Sequence, residues 1–334
     1  MTTNSDSAEI DSMWQNSCFL TRLVAHSVRV SEAAGGLIKS TMSGGDLKII
    51  NKSNTGGQDL QTEADRSAQY LIENSLQKKF GNRLKIIGEE DVTSKVPLSE
   101  LGVSKDVLEI DAKCSEALRN IKEEDVVIWV DPLDGTSEFA QAAKTKSPLL
   151  KQVTVLIGIT HNGSAIAGVI HQPYFSDEGR TIWGIKGVGS FGVHYTREDT
   201  ERIVVTTRSH STQLVQDALD ALEHKHLLTR VDRVGGAGFK VIRCLEDAAA
   251  YVFASGGCKK WDTAAPEAIL TAAGGKLTDI SGRPLYYGAD AQKKNTGGVL
   301  ATAAWINHEE YLHAIPEAVK NSLPEKDPKS QGSK

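Results

Sequence analysis

Several things are scarce in this sequence, and each shortage closes off a class of function. Cysteine is one of them. Only Cys18, Cys114, Cys244 and Cys258 occur in 334 residues, with no CxxC spacing. That argues against a disulfide framework or a thiolate metal knuckle, and reduced, packed thiols are expected. No run approaches the ~18 consecutive apolar residues of a membrane span, so no membrane partner is expected. The opening MTTNSDSAEID is polar and acidic, unlike the apolar core of a secretory leader. Without a leader the glycosylation sequons at Asn51 and Asn162 carry no weight, and the expected address is cytoplasmic. Positive charge is not in excess: 38 Lys and Arg against 43 Asp and Glu leave a net charge of -5. A nucleic-acid partner would ordinarily need a basic face, so none is expected. Repeats, low-complexity linkers and the GxxxxGK[ST] signature are missing as well, and the last of these excludes a P-loop kinase.

The length is enough for a large core or for two lobes sharing an interface. At 40% hydrophobic and 24% charged residues, the balance is that of an ordinary globular chain. Phe19, Leu20, Leu23, Val24, Val28, Leu37 and Ile38 recur at helical spacing, as do Leu60, Ala64, Ala68, Leu71, Ile72 and Leu76; two amphipathic helices are predicted to lead the chain. Short β-rich runs follow at Leu84–Ile87, Val126–Val130, Val153–Ile159, Ala165–Ile170 and Thr181–Trp183. The polar stretch Val92–Glu124 reads as a surface insertion. After about residue 200, strands at Ile203–Thr206 and Tyr251–Ala254 alternate with helices near Gln213–Leu222, Lys240–Ala248 and Asp262–Ala273. A last helix is expected over His308–Asn321. The reading is α/β in class, with a fraying start (1–11), an α+β lobe (12–200), an α/β lobe (201–322) and a fraying tail (323–334).

One segment dominates the chemistry. Val126-Val-Ile-Trp-Val130 runs into Asp131-Pro-Leu-Asp134-Gly-Thr136. A buried strand does not easily carry two carboxylates, so Asp131 and Asp134 are expected where the strand has just ended. There Pro132 fixes φ and Gly135 permits an unusual backbone angle. Two like charges held close need a cation between them, and hard oxygen donors in a polar turn suit Mg²⁺. A helix starting near Thr136 would aim free N–H groups at a phosphate. An Asp-rich capping turn is the bland alternative. Leu84–Gly88 followed by Glu89-Glu90-Asp91 repeats the design, and Asp262 stands at a predicted helix start, where it could cap the helix or hold a metal.

Taken together, Asp59, Glu89-Glu90, Asp131-Pro-Leu-Asp-Gly-Thr136 and Trp261-Asp262-Thr-Ala-Ala265 resemble the signature of the lithium-sensitive, inositol monophosphatase-like phosphatases, over about residues 15–320. Within that group, Asp59–Asp65, Arg180–Gly184, Thr207–His210, Arg233–Gly238 and Tyr251–Asp262 are most similar to the branch acting on 3'(2'),5'-bisphosphate nucleotides. The resemblance implies a layered αβαβα sandwich and up to three Mg²⁺ ions. Their ligands would be Glu89, Asp131, the Leu133 carbonyl, Asp134 and Asp262. Asp59 and Thr136 would orient and deprotonate the attacking water, Thr136 being held by Asp59 or Glu89. Gly135 and Thr136 would meet the phosphate, and Thr207, His210, Gly236 and Lys240 the nucleotide. Implied with them are release of the 3'- or 2'-phosphate of adenosine 3'(2'),5'-bisphosphate by in-line attack of water, and inhibition by Li⁺. The sulfated nucleotide PAPS and inositol 1,4-bisphosphate are further implied substrates. The rivals are an inositol phosphatase of the same metal chemistry and a catalytically silent sensor. Three departures touch the substrate pocket: Ser137 where lysine is expected, a longer Ala140–Lys151 segment, and Phe239 where asparagine is frequent.

Two other patterns point elsewhere. Gly187–Gly192 fits GxGxxG, but Val193-His-Tyr195 follows it where a dinucleotide fold needs a helix, so a hairpin turn is expected. His224 and His226 flank a lysine and read as a solvated face rather than a metal pair.

Overall fold

The computed structural model describes residues 4–45, 47–52, 60–91, 96–145, 147–196, 201–209 and 211–324. The two leading helices form as their apolar spacing requires. Helix α2 (Phe19–Gly44) turns Leu20, Leu23, Val24, Ala34 and Ile38 inward, all without solvent exposure. It stops at Gly45, whose φ of +82° is the left-handed cap that glycine adopts without a Cβ penalty. Helix α3 (Glu63–Phe80) starts at Thr62, which closes a capping box with Asp65. A helix, α1 (Asn4–Asn16), occupies the described part of the start expected to fray over 1–11; Ile10, Met13 and Trp14 pack it onto the core.

Helices α2 and α3 cover one face of a six-stranded sheet. In order across the sheet its strands are β1 (Lys85–Gly88), β2 (Val126–Asp134), β3 (Thr154–His161), β4 (Ser164–Gln172), β5 (Arg180–Ile185) and β6 (Gly189–Phe191). The β1–β2 pair is parallel and the others antiparallel. The β5–β6 hairpin is where the GxGxxG pattern falls, as a turn. Strands β3 and β4 are buried on both faces, hence their near-continuous apolar runs.

The second sheet has the order β8 (Arg230–Val234), β7 (Ile203–Thr207), β9 (Ala250–Phe253), β11 (Val299–Thr302), β10 (Lys276–Thr278). Its first three strands are parallel, and β11 runs antiparallel to both of its neighbours, β9 and β10. Helix α4 (Thr136–Thr145) follows β2. Helix α5 (Gln213–His224) lies on the outer face with the short helices His308–Ala314 and Glu317–Asn321, while α6 (Ala237–Glu246) and α7 (Trp261–Ala272) lie between the sheets. The layers therefore run helix, sheet, helix, sheet, helix, as the resemblance implies.

The seat of α7 is unusual. Gly158, Gly168 and Gly184 stand in register across β3, β4 and β5. A Cβ on Gly158 would lie 2.6 Å from Ala264 Cβ and from the Ala265 amide nitrogen, and one on Gly168 would lie 2.6 Å from the Ala265 carbonyl oxygen. The helix thus rests almost backbone to backbone on a file of glycines, with Asp262 at its leading end.

Three more expectations change. Val92–Glu124 is no surface insertion: Val107, Leu108, Ile110, Cys114 and Ile121 are buried in the core beside α2. One turn of helix and scattered single residues supply these contacts, too few for a periodic signal. The last helix is broken ahead of Pro316, whose ring cannot continue it. Leu323, expected in the fraying tail, packs into the outer core. Among the described residues no helix is long and apolar enough to cross a membrane.

Candidate active site

Strand β2 does not end before its carboxylates. The ladder with β3 continues through Asp131↔Leu156 to Asp134↔Thr154, and Pro132 and Leu133 occupy a register shift between them. Asp131 and Asp134 are therefore carried on a bulge inside a buried sheet, not on a turn after it. The bulge re-aims them, and Asp131 Oδ1 accepts the Leu133 N–H at 3.1 Å. Gly135 follows at φ +87° and lets the chain swing into α4, whose first residue is Thr136.

Thr136 is where the site's proton chemistry collects. Its hydroxyl is shared between Asp65 Oδ1 at 3.1 Å and the Leu133 carbonyl at 3.0 Å. Among the described residues the carboxylate beside Thr136 is Asp65; Asp59, expected to orient the water with Thr136, lies outside the described residues. Asp65 also closes the capping box of α3: its Oδ2 accepts from Thr62 N at 2.8 Å and Thr62 Oγ1 at 2.5 Å. Burial lifts the Asp65 carboxyl to about 6 despite those bonds.

Glu89 enters from the end of β1, tied to β2 by its N–H on the Val130 carbonyl at 3.1 Å. Lys52 bridges Glu89 at 3.4 Å and Glu90 at 2.7 Å. Burial first, then the charge of Asp262, pushes Glu89 up to about 8. Asp131 is raised well above the carboxylate range by burial and then by Glu89, Asp134 and Asp262.

The second lobe closes the cleft. Asp134 reaches across to the start of α6, accepting Ala237 N–H on Oδ1 at 2.7 Å and Gly238 N–H on Oδ2 at 2.8 Å; Thr154 Oγ1 adds 2.7 Å to Oδ2. One lone pair of Oδ1 remains open. The glycine run makes this approach possible: at Gly236, φ +60°, a Cβ would meet the Gln152 carbonyl at 2.6 Å and Asp134 Oδ2 at 2.9 Å. Lys240 is buried, with Nζ on the Gly236 carbonyl at 2.9 Å and 5.5 Å from the Tyr251 ring centre. Burial lowers its pKa against the pull of Asp134 and Glu138. Asp262, half-buried at the head of α7, accepts the Lys259 N–H at 2.7 Å.

A cavity of about 320 Å³ joins these groups. Glu89, Asp131, Leu133, Asp134, Thr136 and Asp262 line it. Gly135, Thr207, Gly236 and Lys240 line it too, so the described members of both predicted sets share one space. His210 lies outside the described residues. Buried Glu138, which Arg208 approaches at 3.4 Å, also lines the cavity and was not anticipated. The Ala140–Lys151 segment continues α4 and then enters a 3₁₀ turn over Pro148–Gln152.

The donor set answers whether a cation fits. Four carboxylates, of which Asp131 and Asp134 are buried, and a carbonyl are hard oxygen donors with an excess of negative charge, which suits a hard divalent ion. Among the described residues no three acidic, histidine or cysteine side chains already converge as a closed cage; the donors line an open cleft.

An acid-lined cleft between two sheets, beside two helix starts, defines a phosphatase-type site. Residues 20–320 match the inositol monophosphatase family model, and the chain belongs to that family. It is 47% identical over 321 residues to human 3'(2'),5'-bisphosphate nucleotidase 1, covering 93% of this chain and 99% of that one. Solved structures show the same fold. The suhB protein of Bartonella henselae gives a TM-score of 0.62 at 19% identity, covering 87% of this chain and 96% of that one. CysQ of Bacteroides thetaiotaomicron, a bacterial family member, gives 0.60 at 22%, covering 86% and 99%.

Proposed function

We propose that this chain is a Mg²⁺-dependent, Li⁺-inhibited phosphatase that hydrolyses the 3'- or 2'-phosphate of adenosine 3'(2'),5'-bisphosphate to AMP and phosphate in the cytoplasm. Supporting the nucleotide as substrate is one observation above all: Thr207, Gly236 and Lys240 face the same cavity as Glu89, Asp131 and Asp262. The human relative at 47% identity is named for that activity.

Glu89, Asp131, the Leu133 carbonyl, Asp134 and Asp262 would hold Mg²⁺. When bound, the metal supplies positive charge for the phosphate and makes water more acidic. The chain's own groups do the rest. Thr136 gives its hydroxyl proton to the Asp65–Leu133 side, which leaves its lone pairs free to accept a proton from water. Asp65, at about 6, is a base matched to neutral pH. The free N–H groups at the start of α4 suit the phosphate oxygens, and Lys240 adds charge in the same cavity.

Phosphate release from adenosine 3',5'-bisphosphate is measured with and without Mg²⁺, beside PAPS, inositol 1,4-bisphosphate and inositol 1-phosphate. Mg²⁺-dependent release fastest on the bisphosphate nucleotide is expected. Release from inositol phosphates alone would overturn the substrate, and release from none would favour a silent sensor.

A further inference from the structure

Far from the cleft, two of the four cysteines meet. Cys18 is half-buried at the N-cap of α2, and Cys114 is buried in the segment packed beside that helix. Both sulphurs hydrogen-bond one hydroxyl, Thr21 Oγ1, at 3.2 Å from Cys18 and 3.6 Å from Cys114. The Cys18 N–H donates to Asp111 Oδ1 at 2.9 Å, and Arg119 holds Asp111 at 2.6 Å. Cys18 is thereby fixed against the turn that carries Cys114.

This is the anatomy of a reactive dithiol. One sulphur is accessible and sits at the positive end of a 26-residue helix, where the thiolate is favoured. The other is sheltered beside it. The Cys114 contact brings the Cys18 thiol down to about 6, and the same contact raises Cys114.

We propose that Cys18 and Cys114 form a reversible disulfide, with a low-molecular-weight disulfide such as oxidised glutathione as the oxidant. The Cys18 thiolate attacks one sulphur of the oxidant and expels a thiolate, leaving a mixed disulfide. Capping Cys18 removes the contact that raises Cys114. The Cys114 thiol then loses its proton to the expelled thiolate and attacks the Cys18 sulphur, releasing the second thiolate, which takes up the proton that the Cys18 thiol gave to solvent. Two electrons pass from the protein thiols to the oxidant, which becomes two thiols. The bond staples the start of α2 to the 111–114 turn across a long loop, so the oxidised form is expected to melt several degrees higher.

The test treats the full chain with oxidised glutathione, then counts alkylatable thiols in denaturant and maps peptides without reduction. The expected result is two thiols lost, a mass lower by two hydrogens, a Cys18–Cys114 linked peptide, and reversal by dithiothreitol. Cys114→Ser should stop at one glutathione on Cys18, and Cys18→Ser should keep its remaining thiols. Four free thiols after treatment, or a bond that includes Cys244 or Cys258, would overturn the proposal. So would unchanged thiol loss in Cys18→Ser, a variant at a half-buried position that needs no repacking.

Discussion

Gly158→Ala tests how the fold positions the chemistry. The added Cβ would stand 2.6 Å from Ala264 Cβ and the Ala265 nitrogen, and 2.8 Å from the Ala264 carbonyl carbon. Ordinary carbon contacts are about 3.5–4.0 Å, so α7 must lift by roughly 1 Å. Two of these neighbours are backbone atoms, and no side-chain rotation relieves them. Overpacking of this kind costs about 1–3 kcal/mol, a loss of a few degrees in Tm. Asp262 lies two residues before Ala264 on the same helix and moves with it. A displacement of about 1 Å at a reacting centre costs on the order of 10²-fold in rate. Phosphate-release kinetics should therefore show kcat/KM falling about 100-fold. Gly36→Ala is the control: it lies on the exposed face of α2 with nothing within 4 Å of the new Cβ, and it should leave activity intact. If Gly158→Ala melts early but keeps wild-type kcat/KM, the glycine file does not position Asp262. If neither quantity changes, the packing argument itself is wrong.

Asp65→Asn should lower kcat by about 10²-fold or more, as expected for loss of a general base, with KM little changed; wild-type kcat would remove Asp65 from the proton path. In EDTA, Asp131→Asn should melt no lower than wild type, because one crowded buried charge is gone, yet it should lose most turnover and the Tm gain that Mg²⁺ confers. Equal Mg²⁺ gains in the two proteins would contradict the ligand assignment. His171 is buried against Gly35 and Thr181, and burial, then Lys39, lowers it from 6.5 to about 4. The unfolded chain takes up this proton first, so stability is full above pH 6.5 and is lost as pH falls toward 4, by about 2 kcal/mol at pH 5. His171→Asn should flatten that part of the Tm–pH curve, and an unchanged slope would refute the linkage.

Much of the site could be read from the chain because strand-end acids stand beside glycines in short local patterns. Glu89, Asp131, Asp134 and Asp262 needed no long-range information. Asp65 did: no local pattern sets it apart, and only the fold brings α3 beside Thr136. The β2 bulge was hidden for a related reason, since proline and two acids read as the end of a strand when no partner is visible. Gly158, Gly168 and Gly184 look like three unrelated glycines until the register of β3, β4 and β5 lines them up. Val92–Glu124 misled because its buried residues are scattered singly rather than periodic. The start of the chain misled in the opposite sense, because polar composition hid the few side chains that anchor α1.

Asp134 has a consequence for how the molecule handles its ligands. The carboxylate proposed to hold a cation also holds the amides of Ala237 and Gly238, at the start of the helix that carries Lys240. On the proposed assignment an ion and a nucleotide would act on opposite ends of one rigid link. Their binding free energies would then be coupled, and thermodynamic reciprocity requires that each change the other's affinity by the same factor. The enzyme would answer the two concentrations jointly, as a coincidence detector for divalent ion and bisphosphate rather than as two independent sites.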